Sequence, residues 1–138
     1  MRKFEKEQFF ILSIVCFVAS LFFEAFATAT NFKNGLECLV WGWLGMLYGV
    51  GFEWLANPLL FMAWIFCFMK LRVEAIFTSA GTIILMLTFL RNHSIALDEG
   101  GNLYPIVGVG AGFWLWVTSA ILCFAAALLR EIKKDGLE

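Results

Sequence analysis

The sequence predicts an all-α membrane protein: a four-transmembrane-helix bundle, with an extra short interfacial or re-entrant helix between spans 1 and 2. Three observations carry that expectation. Hydrophobic residues make up 62% of the chain and mean hydropathy is +0.84. Charges collect in short clusters between long apolar runs, the pattern expected when each segment satisfies its own backbone groups inside lipid. The basic residues also divide unevenly between the two sides that four spans create, as the positive-inside rule requires.

The first span is read at 9–27, from Phe9 to Ala27, long enough for roughly 28 Å of helix at about 1.5 Å per residue. The second and third, 58–73 and 75–90, are short, and reach across if Lys70, Arg72 and Arg91 extend to the interface. Asn57-Pro58 reads as the cap and first residue of the second span. The last span is 106–129, long enough to cross with tilt. Leu36 to Tyr48 is too short for a crossing and carries Gly42 and Gly45, so it is expected to lie along or dip into the interface. The whole chain, 1–138, reads as a single transmembrane domain.

Charge sets the orientation. With four spans, Arg2, Lys3, Lys6, Lys70, Arg72, Arg130, Lys133 and Lys134 lie on one side, and Lys33 and Arg91 on the other, a split of eight to two. Letting Leu36 to Tyr48 cross would reverse that bias. Both termini are therefore expected in the cytoplasm. A competing reading makes Met1 to Thr28 a cleaved signal peptide, with Ala25-Phe26-Ala27 as the cleavage site. Glu5 and Glu7 in its leading segment are atypical, and retention is preferred.

Composition also excludes. The net charge of −1 offers no polybasic tail for nucleic acid. Cys16, Cys38, Cys67 and Cys123 stand apart, and His93 is the sole histidine. No spacing suggests a metal site, a redox pair or a cofactor, and no nucleophile can be paired with a base. The chain is expected not to be an enzyme.

Two groups of residues are candidates for function. Trp41, Trp43 and Trp54 fall in the outer connection, and Trp114 and Trp116 in the outer half of the last span. They read either as an aromatic belt at the interface or as the walls of a groove for a lipid, an apolar ligand or a partner helix. Glu24 is the only carboxylate clearly inside a span. Ser13, Cys16, Ser20, Glu24 and Ala27 follow helical spacing, and the stripe is expected to face the bundle, since an acid facing lipid is costly. With Glu53, these residues form the candidate functional surface: Glu24, Trp41, Trp43, Glu53, Trp54 and Trp114. The outer side is acidic as a whole, with Glu24, Glu37, Glu53, Asp98 and Glu99 against Lys33 and Arg91. Gly108 and Gly112 form G-x-x-x-G, extended by Ser119, and are expected to let helices pack closely.

Two segments, Trp54-Leu55-Ala56-Asn57-Pro58 and Gly112-Phe113-Trp114-Leu115-Trp116, resemble those of uncharacterised short four-span bacterial inner-membrane proteins. The resemblance implies a bacterial inner membrane and transfers no catalytic residue. The expected function is that of a non-enzymatic binding or accessory protein that recognises a membrane or periplasmic protein partner at the outer half of the bilayer, of the immunity or complex-accessory type. The alternative is a homo-oligomeric channel or small transporter using Glu24.

Overall fold

The computed structural model describes residues 2–130. Helix α1 (Arg2–Ser20) stops well short of residue 27. The Ser20 hydroxyl donates to the Phe17 carbonyl at 2.6 Å, and the backbone closes two tighter turns, Leu21 to Val18 and Phe22 to Ala19. Such bonds compete with helical continuation at a helix end. The chain then extends into strand β1 (Glu24–Thr28), in which Phe26 and Thr28 are buried and alternate with more open neighbours, the period of a strand. A turn held by Thr28 and Asn31 leads to β2 (Phe32–Asn34).

Asn34 ends β2 and caps the next helix, its Oδ1 accepting from the Glu37 N–H at 2.9 Å. Helix α2 (Gly35–Trp41) tightens into a 3₁₀ segment, Gly42–Tyr48. Gly49 and Gly51, at φ of 77° and 75°, take the left-handed conformation that reverses the chain. A second 3₁₀ turn (Phe52–Leu55) feeds α3 (Ala56–Phe68). Lys70, at φ 62°, makes the sharp turn into α4 (Arg72–Thr88). After another 3₁₀ turn (Phe89–Arg91) come β3 (Ser94–Ala96), β4 (Leu103–Val109) and finally α5 (Ala111–Leu128).

The four strands form one antiparallel sheet in the order β2-β1-β4-β3. The chain is therefore mixed, helices with a sheet, and the all-α four-span bundle is overturned. The span at 9–27 divides into the end of α1 and all but the last residue of β1, and the span at 106–129 begins inside β4. Hydropathy measures how long an apolar run is, not how it is folded. Alternating Ala-Phe-Ala-Thr and the β-branched and aromatic Tyr104, Ile106, Val107 and Val109 suit a pleated surface, and each run finds its partner in the other.

Among the described residues two helical segments, Arg72–Arg91 (20 residues) and Ala111–Leu128 (18 residues), are long and apolar enough to cross a membrane. The core runs where α1 packs antiparallel to α5. The buried Ser13 hydroxyl donates to the Ser119 carbonyl at 2.6 Å and accepts from the Trp64 indole at 2.9 Å. At the far end of the same helices, the Arg72 guanidinium donates to the Leu128 carbonyl at 3.1 Å. Lys70, Arg72 and Arg130 thus share one end of the molecule, and the sheet caps the other.

Candidate functional site

Beneath the sheet, where α1 ends and α3 and α5 begin, lies a partly open cavity of about 540 Å³. Its walls come from Phe17 and Ser20 of α1, Phe26 of β1, the α2 and 3₁₀ segment from Gly35 to Tyr48, Glu53, Trp54, Asn57, the β3–β4 region from Ile95 to Glu99, and Gly112, Phe113 and Trp116 of α5. This size and mixture, mostly apolar and aromatic with few polar groups, is that of a small-molecule site.

The wall is held by hydrogen bonds. The Trp116 indole donates to Asn57 Oδ1 at 2.9 Å, and Asn57 Nδ2 donates to the Trp54 carbonyl at 3.1 Å. The Trp54 indole donates to the Leu39 carbonyl at 2.9 Å. The Tyr48 hydroxyl donates to the Glu99 carbonyl and pins the 3₁₀ segment to the β3–β4 loop. Trp54 also abuts Gly42, where a Cβ would lie 2.7 Å from the Trp54 ring, so glycine there sets how closely α2 approaches.

Glu53 is the unusual member. It is 9% exposed. Its Oε1 accepts from Asn92 Nδ2 at 2.8 Å, while Oε2 is buried with no hydrogen-bond partner among the described residues. A buried polar atom without a partner is costly, so this one marks a group that the fold leaves available. At the mouth Lys33 pairs with Glu37 at 3.7 Å. Cys38, between them and the interior, has its thiol pushed up to about 12 by burial first and the Glu37 charge second; it stays a neutral thiol at physiological pH. In the β3–β4 turn the Asp98 carboxylate accepts from the Asn102 side chain at 2.8 Å and backbone at 3.0 Å, and from the Tyr104 hydroxyl at 3.0 Å. The Asn102 amide chiefly holds Asp98 below the usual carboxylate range, and that same Asp98 raises Tyr104.

The side-chain donors of the wall are nearly all spent. Those of Trp54, Trp116, Asn57, Tyr48 and Ser20 each reach a protein acceptor. Among the described residues those left are the second Asn57 amide N–H, the Trp41 indole, the weak Cys38 thiol and Lys33, which is already beside Glu37. The cavity is poor in free donors and rich in π surface and negative charge.

The residues singled out by sequence are partly gathered here. Trp41, Glu53 and Trp54 line the cavity. Glu24 does not: α1 has ended before it, so the helical stripe stops at Ser20, and Glu24 stands exposed on β1. Trp43 donates to the Val40 carbonyl on its own turn and is 41% exposed, and Trp114 is half exposed against Phe113; neither lines the cavity. Gly108 lies in β4 with open space around it, so it and Gly112 do not form a helical face. Gly112 does sit in a tight contact, where a Cβ would come within 2.6 Å of the Phe23 carbonyl oxygen. Ser119 is buried against α1.

Asn57 and Asn92 were not recognisable as site residues. Asn57 looked like a helix cap, yet its amide faces Trp116 and its burial is nearly complete. The missed signal was a polar residue flanked by Trp54 and an apolar helix, with no polar neighbour of its own to bond. Among the described residues no cluster of three histidines, cysteines or carboxylates is placed to hold a metal. No protein-family model matches this chain, and no curated protein or solved structure matches it.

Proposed function

We propose that this chain is a non-enzymatic binding protein of a bacterial inner membrane, working at the outer half of the bilayer through the cavity beneath its sheet. The observation that carries the reading is the cavity itself: about 540 Å³, walled by aromatic rings around a buried Glu53 with one free oxygen. Membrane residence is supported by the two long apolar helices and by the apolar side chains they turn outward, with Phe77 72% and Ile84 67% exposed. Water would not tolerate so much contiguous apolar surface. Orientation follows from charge: Lys70, Arg72 and Arg130 gather at the end opposite the sheet, which supports cytoplasmic termini and a multi-pass path. The sheet and cavity then face the outer side. A channel using Glu24 is the weaker reading, since Glu24 stands exposed and outside the cavity wall.

The test is saturable binding of a neutral aromatic probe, N-phenyl-1-naphthylamine, to purified protein in detergent, compared with a cavity-filled variant, Leu44→Trp. One site per chain, lost in the variant while its fold is kept, is expected. No saturable binding, or equal binding to the filled variant, overturns the reading.

A further inference from the structure

The geometry points to a ligand of defined charge: we infer that the cavity takes a small hydrophobic cation, an amphiphile whose ammonium-type head sits beside Glu53 among the faces of Trp41, Trp54 and Trp116. The inference rests on the binding function proposed above and names the ligand's chemistry.

Four lines converge on it. The carboxyl of Glu53 is nine-tenths buried in the wall, has one oxygen without a partner, and no basic side chain forms an ion pair with it among the described residues. Among the described residues Lys33 is the only base in the lining and pairs with Glu37, so Glu53, Asp98 and Glu99 have no basic partner there. A wall whose buried charge is a carboxylate and whose free donors are few offers little to a phosphate, sulfate or carboxylate, whereas a cation needs no donor from the protein. Indole rings whose N–H groups are tied back into the wall still present their π systems, and cations are drawn to those faces, best of all by tryptophan. Coulomb attraction acts across a gap of several ångströms, so the head need not displace the Asn92 amide from Glu53. A chain or ring system then fills the apolar remainder lined by Phe17, Phe26 and Phe113. Such a head can belong to a free amine or to a zwitterionic lipid with an exposed ammonium group.

The experiment compares tetraphenylphosphonium with tetraphenylborate, ions of nearly the same shape and opposite charge, by calorimetric titration of the full chain in nanodiscs of uncharged lipid. Saturable binding of the phosphonium at one per chain is expected, at least tenfold tighter than any binding of the borate. Glu53→Gln keeps an oxygen for Asn92 and is expected to weaken phosphonium binding at least tenfold more than it weakens N-phenyl-1-naphthylamine binding. If that variant does not fold, Glu99→Gln at the rim is expected to weaken the phosphonium about twofold and the borate not at all. Equal binding of both ions, or a folded Glu53→Gln with unchanged affinity, overturns the cation while the binding function stands. Loss of every probe, the neutral one included, overturns both. In a second arm, competition by phosphatidylethanolamine but not by dodecylamine assigns the head to a lipid, the reverse assigns it to a free amine, and competition by neither overturns the ammonium identity.

Discussion

Trp116 donates its indole N–H to the side-chain oxygen of Asn57 at 2.9 Å, joining the second turn of α5 to the first turn of α3 at the cavity wall. The bond makes one unit of two helices that are far apart in sequence, and Asn57 passes the constraint on to the Trp54 carbonyl. Replacing Asn57 by Leu strands the indole donor and removes one of the donors to the Trp54 carbonyl. A loss of about 1–3 kcal/mol is expected, read as a lowered unfolding midpoint in detergent. Trp116→Phe should cost a similar amount, and the double variant less than the sum of the two. Additive losses would mean the two side chains do not act together.

The sheet makes a contrast between two glycines. At Gly112 a Cβ would lie 2.6 Å from the Phe23 carbonyl oxygen and 2.8 Å from that of Glu24, both backbone atoms with little freedom to move. Gly112→Ala is expected to destabilise by about 1–3 kcal/mol, as overpacking does. Gly108 meets nothing within 4 Å, and Gly108→Ala is expected to change stability by no more than about 0.5 kcal/mol. Equal damage at both positions would restore a helical G-x-x-x-G face and remove β4. Thermal unfolding of the two variants side by side decides it.

Single cysteines in a background without the native four test the orientation. A cysteine at Asn102, in the turn between β3 and β4, is expected to react with an impermeant maleimide added to whole cells. A cysteine at Lys70, in the α3–α4 turn, is expected to react only after the membrane is opened. The reverse pattern would invert the molecule and place the cavity on the cytoplasmic side.

The β3–β4 turn is expected to loosen in acid. Asp98 is held below its unfolded value by Asn102, then by Tyr104, so its stabilising effect is full above an unfolded value of about 3.9. It fades as pH falls from there through the lower folded value. Tyr104 is raised, chiefly by its bond to Asp98, so its contribution is full below an unfolded value of about 10 and fades as pH rises through the folded value. Protection of the Asn102 backbone amide relative to its intrinsic exchange rate, its N–H donating to Asp98, should fall on the acid side, and Asp98→Asn should flatten that dependence.

Parts of this arrangement were legible in the residues and parts were not. Helical character at Leu59–Phe68 and Ala75–Thr88 follows from long apolar-rich runs without a charged residue. Trp41, Trp43, Glu53 and Trp54 crowd into one connection, which reads in sequence as a belt or a groove wall; the structure sets Trp41, Glu53 and Trp54, but not Trp43, along one cavity. The sheet was hidden because β1 continues the apolar run of α1 past Ser20 and Glu24 alone, and β4 leads into α5 with no polar side chain between them, and a strand in such a run looks like one more turn of helix. Glu24 was misplaced for the same reason: its helical spacing from Ser20 is real in sequence, but the helix ends between them. Asn57 and Trp116 were invisible as a pair because only the meeting of α3 with α5 brings them together.

The pairing of β1 with β4 also sets an order for biosynthesis. β1 leaves the ribosome early, followed at once by β2, but its other edge waits for Gly108 and Val109, which emerge only with α5. Until then the end of α1 has neither the Ser119 carbonyl for Ser13 nor the α5 wall for its cavity face. Such distant closure is slow relative to local contacts. A chain interrupted before α5 therefore presents an open strand edge and half a cavity, and truncated products should be cleared by quality-control proteases rather than accumulate.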